Sequence, residues 1–415
     1  MKKSNGPIFK YYRKKKNITL NEIVNSNIIK ISLRKLSEFE NGKNNLLNRE
    51  IKILYNFIGL EYKTEKKYIE EFESLFKDFY LETVFFRDYH KKWDEIKKIY
   101  NKIKYSYVLP LYKLAELIFY NYEYNDEYDY TSCINDLIKF NKCFHTEYKQ
   151  ILFDAIGCYY MNNYEMKSSY IYLKKAISIN GSEASLNMSK YHMSVLALRQ
   201  YDIYNASKYL LEISNYFNKT LNMQRIICIS MIKAFIYQYL KQYDKSEKIY
   251  KKCIYYLSND VSNMHNLFAC YNDLLWNLLL AEKYSELVIE GNKAIKVFYN
   301  KSEFYLYISY AYYHLGKVEK AKEYINIGKY YIDETSKHIK LMTIAYSTFL
   351  SKNKSYEIKE KNFLKAYNDA IKYNNIEVQL FILDCLIELD ILYCNKEKEY
   401  EHLKLINSLR KKNLS

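Results

Sequence analysis

The sequence predicts an all-α chain, a small basic helical domain followed by a long stack of helix pairs. Three observations carry that prediction. Two prolines and eight glycines in 415 residues leave few helix breakers. Residues 1–62 hold 13 Lys/Arg against five Asp/Glu, so half of the chain's net +16 sits in its first sixty residues. From about residue 105, small and apolar positions recur at intervals of 34 to 41 residues. A chain this long exceeds one compact core, and we divide it into a basic domain (1–62), linker helices (63–104) and a repeat domain (105–415).

In the basic domain, Pro7 suits the first turn of a helix that runs to about Lys16 with Ile8 and Tyr12 facing inward. Thr19-Leu20-Asn21-Glu22 has the form of a capping box and opens a short second helix carrying Leu20, Ile23 and Val24. Ser32 is a good N-cap for a third helix from Leu33 to Glu40, with Leu36 and Phe39 turned to the core and Asn41-Gly42 as a left-handed stop. This order, with Leu36-Ser37-Glu38-Phe39-Glu40-Asn41-Gly42 closing the third helix, resembles the five-helix helix-turn-helix domain of Xre and phage-repressor type. The turn departs from that pattern, with seven residues (Asn25 to Ile31) between Val24 and Ser32. The resemblance implies that the start of the third helix meets base edges, Arg34 pairing with guanine beside Lys35, Ser37 and Glu38. Lys10, Arg13, Lys14, Lys30 and Lys43 are the expected phosphate contacts, by charge and position.

The clearest repeat unit is Tyr305-x3-Ser309-x2-Tyr312-x3-Gly316-x-Val318-x2-Ala321-x3-Ile325-x2-Gly328. Equivalent positions fall at Ser169, Ala206, Ser246, Leu287, Ala321 and Lys359, spaced by 37, 40, 41, 34 and 38. Gly157, Ser194, Ala234 and Ser309 take the tight site on the first helix of their pairs. The pattern is that of degenerate tetratricopeptide repeats, about six or seven of them. Each pair has an apolar face too wide to bury alone, so the units are expected to stack into a right-handed superhelical solenoid with a concave inner wall. Repeat phase puts Asp154, Tyr191, Arg199, Phe235, Gln238, Asn272, Trp276, Tyr310, Tyr313 and His314 on that wall. The carboxamides of Gln238 and Asn272 suit a peptide main chain, which has both donors and acceptors. Trp276 and Tyr310, with Tyr191, Phe235 and Tyr313, suit apolar side chains, and Arg199 suits a carboxylate.

Several function classes are disfavoured. The eight cysteines include no Cys-x-x-Cys and the seven histidines have no metal spacing, so reduced thiols and no metal or cofactor are expected. No Walker loop, Gly-x-Ser-x-Gly or His-Glu-x-x-His occurs, and no catalytic residue is assigned. No apolar run approaches a bilayer span, and none comes after Met1-Lys2-Lys3 as in a secretion signal, so a cytoplasmic protein is expected.

Taken together, an Xre-type domain, a linker helix pair and a tetratricopeptide array resemble the RRNPP family of peptide-pheromone receptors. The resemblance implies a homodimeric transcription regulator that binds double-stranded DNA and responds to a short signalling peptide held in the concave groove, as in quorum sensing. Two alternatives remain open within it. One is a phage or plasmid regulator of arbitrium or conjugation type; the other is a protein-binding, phosphatase-type member acting on a response regulator.

Overall fold

A computed structural model describes residues 5–414 apart from 64, 124, 126, 259–263, 333–336 and 373–375. Among these residues the chain forms 22 α-helices, one short 3-10 turn and no strand. Two compact units result, residues 1–226 and 227–415. The boundaries expected at 62 and 104 both lie inside the first unit.

Unit 1 opens with α1 (Asn5–Lys15), α2 (Leu20–Asn25), α3 (Leu33–Glu40) and α4 (Asn48–Phe57). Their shared core is Phe9, Ile23, Leu36, Phe39, Ile51, Leu54 and Tyr55. The Thr19–Glu22 capping box forms in both directions, Ser32 caps α3 through the amide of Lys35, and Gly42 takes a φ of 68°. Gly6 has a different task. A Cβ there would stand 1.8 Å from the carbonyl oxygen of Phe39, so only glycine lets α1 seat against the end of α3.

Helices α5 (Lys66–Val84), α6 (Tyr89–Lys102), α7 (Leu109–Glu123) and α8 (Tyr130–Lys139) come next. They hold the basic domain from behind through α1. Tyr12 packs edge-on to Tyr105 at 5.1 Å, and Tyr11 meets the Phe140 ring at 5.4 Å. Tyr11 also donates to Asp136, which pairs with Lys113 at 3.1 Å. The repeat proper begins with α9 (Thr146–Asn162), α10 (Met166–Ile177), α11 (Glu183–Arg199) and α12 (Ile203–Lys219).

α13 (Met223–Tyr239) straddles the unit boundary. Unit 2 then contains α14 (Tyr243–Leu257), α15 (Met264–Leu280), α16 (Tyr284–Val297), α17 (Ser302–His314), α18 (Val318–Tyr330), α19 (Lys337–Phe349), α20 (Tyr356–Lys372), α21 (Ile376–Leu392) and α22 (Lys396–Leu414). Odd-numbered helices from α9 onward are the first of each pair, and neighbouring first helices touch, as α15 does α17 and α17 does α19.

The small residues act where two helices cross. Ser169 Oγ donates to the Gly157 carbonyl at 2.9 Å, Ser194 Oγ to Ala206 at 3.0 Å and Ser309 Oγ to Ala321 at 2.6 Å, each across twelve residues. Lys359 breaks this pattern. It is buried, with its ammonium 5.5 Å from the centre of the Tyr393 ring, because its aliphatic stem fills the crossing and the aromatic face receives the charge.

Between paired helices the chain reverses through a left-handed residue at Tyr164, Tyr201, Lys241, Glu282, Gly316 and Cys394. In each case the next amide bonds back to a carbonyl five residues earlier, as Lys283 does to Leu278 at 3.0 Å.

Candidate functional site

The basic domain sorts its charged residues into two sets. Arg34 and Lys35 lie exposed at the start of α3, with Ser37 and Glu38 half-buried one turn on. Arg34 Nε donates to Glu38 Oε1 at 3.0 Å, and Asn44 Nδ2 reaches the other oxygen at 3.3 Å. The Arg34 hydrogen bond holds the Glu38 carboxyl below its ordinary value. Glu38 therefore braces Arg34. An open concavity between α2 and α3 is lined by Thr19, Leu20, Asn21, Leu33, Arg34 and Ser37, with buried Arg13 as a further lining residue.

Lys14, Lys30 and Lys43 are exposed, and Lys10 donates to Asn41 Oδ1 at 2.7 Å. Arg13 does not belong with them. It is buried, its Nε and Nη2 bind the two oxygens of buried Glu40 at 2.6 and 2.8 Å, and Nη1 donates to the Ile18 carbonyl. The expectation of a phosphate contact is corrected on that ground, since its donors are engaged within the fold. The seven-residue turn is accommodated by left-handed Asn27, after which Ile31 drops into the core.

On the inner wall of unit 1, Tyr191 lies 5.0 Å from the guanidinium of Arg225, and Phe86 lies 4.0 Å from it. Arg225 is fully buried and donates to the carbonyls of Val84 and Thr83 and to the Tyr122 hydroxyl. It ties α13 to the end of α5. Sequence reasoning missed it, and its only signal is a lone arginine in an apolar helix. Arg199 is exposed and donates through Nη1 to the Met161 carbonyl at 2.7 Å. Asp154 is buried and sits against His192.

In unit 2 five of the expected residues meet in one aromatic cluster. Tyr310 stands 4.3 Å from His314, Tyr313 5.4 Å from His314, and Trp276 5.8 Å from Tyr307, whose hydroxyl donates to Asn272 Oδ1 at 3.3 Å. Trp276 and Tyr310 were expected to supply apolar pockets for a peptide's side chains. Instead both are buried, and both pack on Phe381 of α21, at 5.7 and 5.0 Å. Fifty tyrosines make intrachain aromatic packing cheap to satisfy, and here it consumes those faces. Phe235, Asn272 and Tyr313 remain part-exposed.

The cluster also carries polar atoms without hydrogen-bond partners, Trp276 Nε1, His314 Nε2 and Glu388 Oε2, and buried Gln238 Oε1 on α13 likewise has none. His314 Nε2 lies 3.3 Å from Glu388 Oε1 but is not aligned to bond it. Burial lowers the His314 pKa. It raises the carboxyl of Glu388, with help from Asp384, to about 7, and that of Asp273 to about 7 against a hydrogen bond from Asn272. Unmet donors and acceptors beside aromatic rings are chemistry suited to a ligand with its own amides.

No family model and no curated relative matches the sequence. Solved structures do. A Rap protein complexed with Competence and Sporulation Factor superposes with a TM-score of 0.69 at 12% identity, covering 83% of this chain and 99% of that one. NprR in complex with its cognate peptide NprX gives 0.58 at 15%, covering 82% and 99%. Aspartyl phosphate phosphatase F from Bacillus subtilis gives 0.58 at 15%, covering 83% and 93%.

The fold is the tetratricopeptide-like stack of helix pairs shared with the Rap and NprR structures. Among the described residues, no helix is long and apolar enough to cross a membrane.

Proposed function

We propose that the protein is a peptide-responsive transcription regulator, not an enzyme, which acts in the cytoplasm as a homodimer. It reads duplex DNA with α3 and takes a short peptide against the first-helix wall of unit 2. The observation that carries this reading is the start of α3, where Arg34 and Lys35 lie exposed side by side directly after the Ser32 cap. Arg34, braced by Glu38, is presented for bidentate pairing with a guanine edge, and Lys14, Lys30 and Lys43 are free to track the backbone phosphates. The peptide half is supported by the solved structures of this fold that hold a peptide, and by the unmet polar atoms Trp276 Nε1 and Gln238 Oε1. Within unit 1, Tyr191 and Arg199 are proposed on their own as peptide contacts, Arg199 as a carboxylate partner.

The test is binding by the full chain to the duplex upstream of its own gene and to random duplex. Arg34→Ala should cost about 1 to 3 kcal/mol on the specific site only, whereas Lys14→Ala should weaken both and reduce the salt slope by about one. Equal loss from both changes on both duplexes sinks α3 as the reader. Calorimetry with the peptide encoded beside the gene should show Asn272→Ala weakening it by roughly tenfold or more, with DNA binding by the free protein unchanged. Peptide binding without any DNA binding would turn the reading to a partner-docking, phosphatase-type protein.

A further inference from the structure

Unit 1 contains a polar cluster that neither DNA nor peptide binding employs. Asp154 and Cys158 stand one turn apart on α9, and His192 reaches them from α11. His192 Nδ1 is 3.0 and 3.1 Å from the two carboxylate oxygens of Asp154, and the donor atoms of all three side chains lie within 4.8 Å of one another. Zinc bonds of about 2.0 to 2.3 Å in a tetrahedron put neighbouring ligand atoms roughly 3.3 to 3.8 Å apart, so small rotamer changes bring the set onto one ion. A thiolate, an imidazole nitrogen and a carboxylate form a mixed soft and hard donor set that suits zinc, whereas magnesium and calcium take oxygen alone.

A second observation points the same way. The Tyr80 hydroxyl is nine-tenths buried, has no hydrogen-bond partner and lies within the electrostatic reach of both Asp154 and Cys158. We propose that Asp154, Cys158 and His192 form a site for a zinc-class divalent metal, with three protein ligands and a fourth position open to water. That water would offer Tyr80 the partner it lacks.

Charge supports the assignment. A thiolate and a carboxylate with a neutral imidazole balance a divalent ion, and binding releases the thiol proton to solvent. Burial, with Asp154, holds the Cys158 thiol well above its ordinary value, Arg199 and Arg225 lowering it only in part, so the metal itself would have to displace the proton. Cys158 and His192 are only partly buried, which leaves a way in. A metal there would pin one repeat to the next, beside Tyr191 and the Arg225 contacts that hold α5.

The experiment is Co2+ titration of the chelator-stripped full chain. One equivalent should bind with a thiolate-to-cobalt charge-transfer band and the strong visible absorption of four-coordination, and Zn2+ should displace it. Cys158→Ser should abolish the band, His192→Asn should weaken binding at least tenfold, and Cys394→Ser, at an exposed thiol, should change neither. X-ray absorption of the zinc-loaded wild type, which needs no variant, should show one sulfur with nitrogen and oxygen in the shell. No band in the wild type, a band that survives Cys158→Ser, or an all-oxygen shell overturns the proposal.

Discussion

Two neighbouring cations on α1 have opposite fates. Arg13 is closed into a bidentate pair with Glu40, and Lys14 points to solvent. Breaking a buried pair leaves an uncompensated charge, so Arg13→Ala should cost about 3 to 5 kcal/mol and unfold the basic domain in thermal melts, removing DNA binding indirectly. Lys14→Ala should leave the melt within about 0.5 kcal/mol. Sequence alone made both look like phosphate contacts, because it shows a charge and not its partner 27 residues on. The same blindness hid the Asp154–Cys158–His192 set. Cys158 and His192 are 34 residues apart, one ideal repeat, so they meet only through the stacking of one unit on the next.

Glu388 gives a prediction in pH. Burial and Asp384 raise its folded pKa to about 7, so the native state holds the proton more tightly than the unfolded chain does. The stability this contributes is complete below the unfolded value of about 4.5 and is lost as pH climbs through 7. Glu388→Gln should therefore be close to wild type at pH 5 and gain on it towards pH 8. With 28% of the side chain exposed, we expect about 1 to 2 kcal/mol after screening. Melting temperatures across that range decide it, and a gap that does not change with pH would mean the carboxyl is not titrating there.

At the scale of elements, the reversals between paired helices form a series. Tyr164, Tyr201, Lys241, Glu282 and Gly316 are spaced by 37, 40, 41 and 34 residues, the intervals read from the small positions Ser169 to Ala321. Periodicity thus made the repeats legible, and the helix ends at Ser32, Thr19 and Gly42 were legible as caps. The reversals themselves were not, because glycine occupies only one of those five and a tyrosine or lysine carries no turn signal. A left-handed non-glycine residue is strained by about 1 kcal/mol, partly offset by the stiffer unfolded chain. Exposed Lys241→Gly should accordingly raise stability by about 0.5 kcal/mol in chemical denaturation, and a loss would show that the lysine stem packs. The turn before α3 was legible as long, but not that Asn27 would absorb the extra length.

Across the whole molecule, the α1 of the expected 1–62 domain is packed on side chains from residues 100–140. Tyr11 meets Phe140 and Asp136, and Tyr12 meets Tyr105 and Tyr100. Aromatic residues on the rear of a first helix look like its own core in sequence, since periodicity marks a face as buried without saying against what. Such a mount fixes the angle at which α3 is offered. In the dimer we propose, each α3 would then keep one bearing, and the two half-sites must share a face of the double helix. Inserting five base pairs between them turns one through about half a turn and should abolish tight binding, while ten should restore much of it. Gel shifts on such operators would read the mount directly: heads on slack tethers would accept all three spacings alike, whereas these should count base pairs.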